Sequence, residues 1–242
     1  MVEKTFRILA IVPAYNEEGA IKKVVEEIQS VQPHIDIVVI DDGSTDRTVD
    51  IARNAGARVI SLPFNLGIGG AVQTGFKYAA ERAYEAAVQV DGDGQHEPDQ
   101  IPILLKALDK PGTDVVLGSR FLEAGGYKTS MVRQIGVRIF MLINSILLKK
   151  RITDNTSGFR AYGKRAIAFL ASNYPYDYPE PESVIILERN GFSIEEVPIT
   201  MRQRETGRSS ISAVRAVYYM VKVLLAIFMN LFKQRIVKKR GK

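Results

Sequence analysis

AAVQVDGDGQHEP, residues 86–98, runs from five uncharged residues straight into two aspartates, an amide and a proline. The first part has the length and composition of a buried strand, and the tip after it combines turn residues with oxygen ligands. The same two-part pattern recurs through the first half of the chain. FRILAIV ends in PAYNEE, IDIVVI in DDGSTD, ARVISL in PFNLGIGG and DVVLG in SRF. Between these lie EEGAIKKVVEEIQS, DRTVDIARNAG, GIGGAVQTGFKYAAERA and PDQIPILLKALDK, whose apolar residues recur at helical spacing. Strands alternating with helices predict parallel pairing through crossover helices, hence a three-layer α/β/α fold with a mostly parallel central sheet. Ligands of such sheets bind beyond the carboxyl ends of the strands, so the polar tips are expected along one edge.

The second half is less regular. Residues 130–151 read as an amphipathic helix, ITDNTSGFRAYG as a turn into a short strand, and GKRAIAFLAS as a helix. YPYDYPEP is a loop rich in Tyr and Pro before the helix SVIILERNG, which Gly191 stops, and FSIEEVPITM is a late strand. A basic loop, RQRETGRSS, then leads to a long apolar helix and a basic tail. We expect one nucleotide-binding domain over residues 1–210 and an amphipathic arm over 211–242.

The 242 residues are 46% hydrophobic and 25% charged, enough for a packed core. The absence of cysteine excludes disulfides and thiolate metal sites. Eleven Lys and Arg face one acidic residue, Glu205, after residue 199, so the overall charge of +6 leaves residues 1–199 at −4. A basic arm of this kind suits phosphates or an anionic membrane surface. Its cations have no aromatic residues among them and no recognisable reading module, so nucleic acid is not the expected partner. The most apolar stretch, residues 223–232, lies between Lys222 and Lys233. It has about half of the ~20 residues that a membrane crossing needs. The arm is expected to lie on a membrane face or against a second copy of the chain.

Two aspartates spaced D-x-D at the end of a strand can share one divalent cation, and Mg2+ and Mn2+ accept carboxylate, amide and phosphate oxygens together. The rival reading of 91–98 is a polar turn whose Glu97 and Asp99 sit favourably at the start of the next helix. DDGSTD offers a second acidic pair, Asp41 and Asp42, with Ser44, Thr45 or Asp46 available to cap a helix. NLGIGG has Val72 where a dinucleotide fingerprint needs its third glycine, and no P-loop is present. Neither His34 nor His96 reads as a ligand, and both are expected in exposed loops.

IVPAYNEE, VVIDDGSTDRT, NLGIGGAVQTGFKYA, VDGDGQHEP, LGSRF and TDNTSGFRAY, in this order, resemble family 2 glycosyltransferases of the GT-A fold, and among them the dolichyl/polyprenyl-phosphate sugar synthase group. The resemblance implies an inverting transfer of a hexose-type sugar from a UDP- or GDP-linked donor, with Mg2+ or Mn2+. It implies a polyprenyl phosphate acceptor at the cytoplasmic face of a membrane, for cell-envelope glycan or glycoprotein synthesis. Carried over, Pro13, Tyr15, Glu17, Asp41 and Asp42 match the nucleotide-contacting positions. Asp91, Asp93 and Gln95 match the metal and diphosphate set. Arg120 and Arg133 match residues facing the acceptor phosphate, and Arg204 and Arg208 belong to a basic loop over both phosphates. Asp93, Arg120 and Arg204 are the positions implied in catalysis. The loop departs from the usual Gly-Gly-x-Ser-Lys by carrying Thr206 and Ser210 at the first-glycine and lysine places.

A phosphate monoester is already an anion at neutral pH, so this acceptor needs positioning and charge neutralisation rather than a base, and arginine forks supply both. A sugar hydroxyl would need a base, for which Glu180 or Glu182 is the candidate, with an exposed helix cap as the plainer reading. Transfer to a carbohydrate hydroxyl and a non-catalytic scaffold recruiting a partner to a membrane are the two rival functions.

Overall fold

The computed structural model of the protein describes residues 6–122 and 152–202. The expected helices at 130–151 and beyond 210, the domain boundary at 210, and Arg133, Arg204 and Arg208 lie outside the described residues.

Seven strands form one sheet: β1 (Ile8–Ala14), β2 (Asp36–Asp41), β3 (Arg58–Ser61), β4 (Ala86–Gln89), β5 (Val115–Ser119), β6 (Arg160–Gly163) and β7 (Ile194–Pro198). Their order is β3-β2-β1-β4-β6-β5-β7. Every pairing is parallel except those of β6, which runs antiparallel to both β4 and β5. Six α-helices accompany the sheet: α1 (Ile21–Val31), α2 (Thr48–Asn54), α3 (Gly67–Glu81), α4 (Ile101–Leu108), α5 (Lys164–Asn173) and α6 (Pro179–Arg189).

Strand alternation divides the core between two layers. Leu9 and Ile11 of β1 pack with Val72, Phe76 and Ala79 of α3, Ile167 and Leu170 of α5, and Val184 and Leu187 of α6. Ala10 and Val12 face Ile21, Val24, Val25 and Ile28 of α1 and Ile101 and Leu104 of α4. The α1 residues fall at i, i+3, i+4 and i+7, which places one stripe of the helix on the sheet. Both faces of the central strands are covered, which explains why their sequences are nearly continuous apolar runs.

Two features aim the chain at the carboxyl edge. The strand order reverses at β1, with β2 on one side and β4 on the other, which opens a crevice beyond their carboxyl ends. Because β6 is antiparallel, its first residue, Arg160, pairs with Gln89 near the end of β4 and with Leu117 of β5. The loop 152–159 preceding β6 is thereby delivered to the same edge. No helix among the described residues is long and apolar enough to cross a membrane.

One close approach fixes α3 against the loop before α6. A β-carbon at Gly69 would stand 2.5 Å from the Tyr176 carbonyl oxygen and 2.6 Å from that of Pro175, and backbone cannot swing aside. Gly69→Ala is expected to destabilise the protein by about 1–3 kcal/mol, read as a lower urea midpoint at unchanged slope.

Candidate active site

The acidic tip after β4 is tied to its neighbours through its backbone. Gly92 N–H donates to the Pro13 carbonyl (3.1 Å), joining it to the end of β1, and Gln95 N–H donates to Asp93 Oδ1 (3.0 Å), closing the turn. Gly94 has φ +76°, a left-handed conformation that glycine adopts without strain. On the far side, the Gln95 carbonyl accepts from Arg202 N–H (2.9 Å). The described chain therefore ends beside the tip, two residues before Arg204.

His96 organises this turn from below. It is 1% exposed and stacks on Phe159, with ring centroids 4.9 Å apart. Asp91 N–H donates to its Nδ1 (2.9 Å), so the imidazole proton sits on Nε2, which lies 3.6 Å from Asp91 Oδ2. Burial depresses its pKa to about 4, with the Arg120 charge adding to the effect and Asp93 and Asp154 opposing it. The sequence reading of His96 as an exposed loop residue is thus corrected: it is a buried neutral support of the acidic turn. Loop 152–159 closes over the turn at Gly158, where a β-carbon would stand 3.1 Å from both Asp91 carboxylate oxygens. Glycine leaves that carboxylate uncrowded.

Asp91, Asp93 and Gln95 are all half-buried and offer two carboxylates and an amide, the hard oxygen donors that Mg2+ and Mn2+ accept. Among the described residues no three Asp, Glu, His or Cys side chains converge as a metal cage. The donor set therefore fits a cation whose remaining ligands come from a substrate, not one enclosed by protein.

Arg120, just beyond β5, meets loop 152–159. Its Nε and Nη2 donate to Asp154 Oδ2 and Oδ1 (2.6 and 2.8 Å), Nη2 also donates to Thr156 Oγ1 (2.7 Å), and its own N–H donates to Asp154 Oδ2 (3.1 Å). Asp154 has a fully buried side chain, so the fork is held in one orientation. Next to it, Ser119 Oγ and Thr153 Oγ1 are 2.6 Å apart, and Glu196 of β7 accepts from Thr153 N–H and Asp154 N–H (2.9 Å each).

The residues matched to the nucleotide side are distributed differently from the sequence picture. Pro13 is a buried residue of β1 rather than part of the loop, while Tyr15 is 46% exposed and Glu17 half-buried. Asp41 and Asp42 are buried and bonded to backbone. Asp41 Oδ1 accepts from Ser44 N–H (3.1 Å), and Asp42 accepts from Leu66 N–H (2.7 Å) and Gly67 N–H (2.9 Å) at the start of α3. Of the expected cap residues, Asp46 takes the Thr48 N–H at α2 (2.9 Å). Glu180 and Glu182 depart from the exposed-cap reading, since α6 begins at Pro179 and Glu182 is 8% exposed. Burial raises the Glu180 pKa against the pull of Arg160, and the Asp91 charge raises it further.

The profile of the family described as Glycosyl transferase family 2 matches residues 9–170, from β1 through the acidic turn into α5. The chain belongs to that family. An undecaprenyl-phosphate mannosyltransferase of Micrococcus luteus is 34% identical over 222 residues, covering 85% of this chain and 88% of that protein. A polyprenol monophosphomannose synthase of Mycolicibacterium smegmatis is 32% identical over 224 residues, or 87% and 83% of the two chains. A UDP-N-acetylglucosamine–dolichyl-phosphate N-acetylglucosaminyltransferase of Methanococcus voltae is 34% identical over 212 residues, or 79% and 84%. Among solved structures, glucosyl-3-phosphoglycerate synthase of Mycobacterium tuberculosis, in complex with Mn2+, UDP-glucose and phosphoglyceric acid, superposes with a TM-score of 0.70 at 22% identity, over 93% of this chain and 79% of that one. The fold is GT-A, as the motifs imply.

Three supports of this family 2 site escaped the sequence reading: His96, Asp154 and the buried Arg160. Their partners are distant in sequence or lie on an unexpected face, and no local pattern marks them.

Asp154→Ala leaves Arg120 beside a buried gap without its counter-charge, and is expected to destabilise the protein by about 3–5 kcal/mol in chemical denaturation. His96 gives a pH signature in the metal-free protein. The unfolded chain takes up its proton near 6.5 and the folded chain only near 4. Its contribution to stability is therefore complete above pH 6.5 and is lost as pH falls toward 4. The drop in urea midpoint between pH 7 and pH 5 is expected to be smaller in His96→Gln than in the wild type.

Proposed function

We propose that this family 2 glycosyltransferase moves a hexose-type sugar from a UDP- or GDP-linked donor to the phosphate of a polyprenyl phosphate, with inversion. The observation that carries the reading is the convergence of Asp91, Asp93 and Gln95 with Arg120 on one sheet edge. It occurs in a chain aligned over most of its length with enzymes named for polyprenyl and dolichyl phosphate acceptors.

Asp91, Asp93 and Gln95 would hold a Mg2+ or Mn2+ ion, whose contribution is to neutralise the charge gathering on the departing nucleoside diphosphate. Tyr15, at the exposed end of β1, offers its ring to the base, and Glu17 an acceptor to the ribose. Asp41 and Asp42 act from beneath, as fixed negative ends of the turns that shape this pocket. Arg120 presents the guanidinium edge not used by Asp154 to the acceptor phosphate, and the bidentate clamp keeps it there without reorganisation during transfer. Arg133 of the segment after Leu122, and Arg204 and Arg208 after Arg202, complete the positive surroundings of the two phosphates. The acceptor oxygen attacks as an anion, so no residue has to remove its proton. The basic arm, residues 211–242, holds the enzyme peripherally at the cytoplasmic membrane face or against a second copy.

One observation favours a second reading, transfer to a sugar hydroxyl. Glu180 has a raised pKa and lies in the field of Asp91, as a general base near the reacting centre would.

Purified protein is incubated with Mn2+ or Mg2+, polyprenyl phosphate and each labelled nucleotide sugar in turn, then extracted into organic solvent. Label is expected in the organic phase with one donor. Label that stays aqueous while nucleotide is released favours the hydroxyl acceptor, and no nucleotide release favours the scaffold. Asp93→Asn keeps an acceptor for Gln95 N–H but removes the charge. It is expected to lower kcat/KM by about 10²–10³-fold with an unchanged melting temperature. Full activity in that variant removes Asp93 from the cation site.

A further inference from the structure

Helix α3 opens on a residue poorly suited to its place. The N-cap is Leu66, whose side chain makes no capping bond, and leucine is among the weakest N-cap residues. The cap comes from β2 instead, where the Asp42 carboxylate accepts from Leu66 N–H and Gly67 N–H. The fold therefore gains nothing from an apolar side chain at this position, yet Leu66 is 42% exposed, with Phe64 at 63% and Ile68 at 41%. Tyr176, 61% exposed, adjoins them, because Gly69 packs on the carbonyls of Pro175 and Tyr176 and the Tyr176 hydroxyl donates to Gln73 Oε1 (2.8 Å). From residue 62 to residue 76 the sequence has no charged side chain. An uncharged apolar rim thus stands at the carboxyl edge, one hydrogen bond from the tip of β2. Contiguous exposed apolar groups of this kind mark a surface that meets another apolar one.

We propose that Phe64, Leu66, Ile68 and Tyr176 receive the isoprenoid chain of the acceptor. The inference rests on the polyprenyl-phosphate reading and adds to it the place of the lipid. A polyprenyl phosphate joins an anion to a long hydrocarbon. Its phosphate has to reach the carboxyl edge of the sheet, so its first isoprene units must lie on protein surface beside that edge. Apolar side chains there remove the hydrocarbon from water. A nucleotide would call for hydrogen-bonding or charged side chains, and an anionic bilayer surface for lysine and arginine, and the rim has neither charge. Contacts of this kind are non-directional, so the rim sets acceptor affinity and leaves sugar choice to other residues.

The test compares wild type with Phe64→Ser and Ile68→Ser, both exposed positions whose replacement leaves the core intact. Each variant is expected to raise KM for polyprenyl phosphate about tenfold while KM for the nucleotide sugar is unchanged. A polyprenyl phosphate bearing a photoreactive group in its first isoprene units should label the peptide containing residues 62–76, or Tyr176, in the unmodified protein. Unchanged acceptor KM in both variants, or photolabel confined to other peptides, overturns the rim while transfer to lipid stands. A rise in donor KM assigns the rim to the nucleotide and also overturns it. So does an equal loss of sedimentation with vesicles that lack polyprenyl phosphate, which would make the rim a bilayer contact. A wild type that forms no lipid-linked sugar overturns the transfer reading and the rim together.

Discussion

Arg160 is fully buried, and its guanidinium is held entirely by oxygens of the chain around it. Nε donates to the Ser157 carbonyl (2.6 Å), Nη2 to the Asn155 carbonyl (2.9 Å), and Nη1 to the Glu180 carbonyl and Ser183 Oγ (3.1 and 2.9 Å). A cation taken out of water is tolerated only where its donors are satisfied in this way. The same bonds fix the 155–157 loop and the first turn of α6 relative to β6. The cover over Asp91, the partner loop of Arg120 and the position of Glu180 all follow from that one buried group. The antiparallel run of β6 makes this possible, because it puts the residues before a strand, rather than those after it, on the edge where the other tips gather.

The acidic residues of that edge divide by burial. Asp41 and Asp42 are almost inaccessible and bonded to backbone N–H groups, so they shape the crevice. Asp91 and Asp93 are half-buried, at a turn whose backbone is already satisfied, which leaves carboxylate oxygens for chemistry. Two D-D and D-x-D pairs that look alike in sequence thus have different physical standing. The difference comes from what faces them: the start of α3 for one pair, and a glycine of loop 152–159 for the other.

Strand-by-strand, the first half of the fold was legible. Each Val- and Ile-rich run became a strand, and each i, i+3, i+4 pattern a helix, because both faces of a parallel sheet have to be covered. Less was visible after residue 150. The short strand of ITDNTSGFRAYG was readable, but its antiparallel direction was not, since direction is set by long-range pairing with β4 and β5. Helix α6 starts at Pro179, four residues earlier than SVIILERNG suggests, because prolines at its first turn were read as loop when they are helix-compatible there. At the site, the D-x-D tip stood out because carboxylates at a strand end have few structural uses. His96 did not, because a histidine beside acids looks solvated until Phe159, some sixty residues away, is seen stacked beneath it.

Chain enters the segment 123–151 at the end of β5 and leaves it at Ile152, and these two points are clamped together. Ser119 meets Thr153, Arg120 grips Asp154, and Glu196 holds the backbone of both Thr153 and Asp154. An excursion pinched shut at its base transmits neither its length nor its composition to the sheet, and each doubling of such a loop costs only about 0.6 kcal/mol in closure entropy. Evolution can therefore exchange the segment wholesale, as a cassette on a constant socket. Within one catalytic scaffold, new acceptors would then be acquired by replacing that insert while the donor half stays untouched.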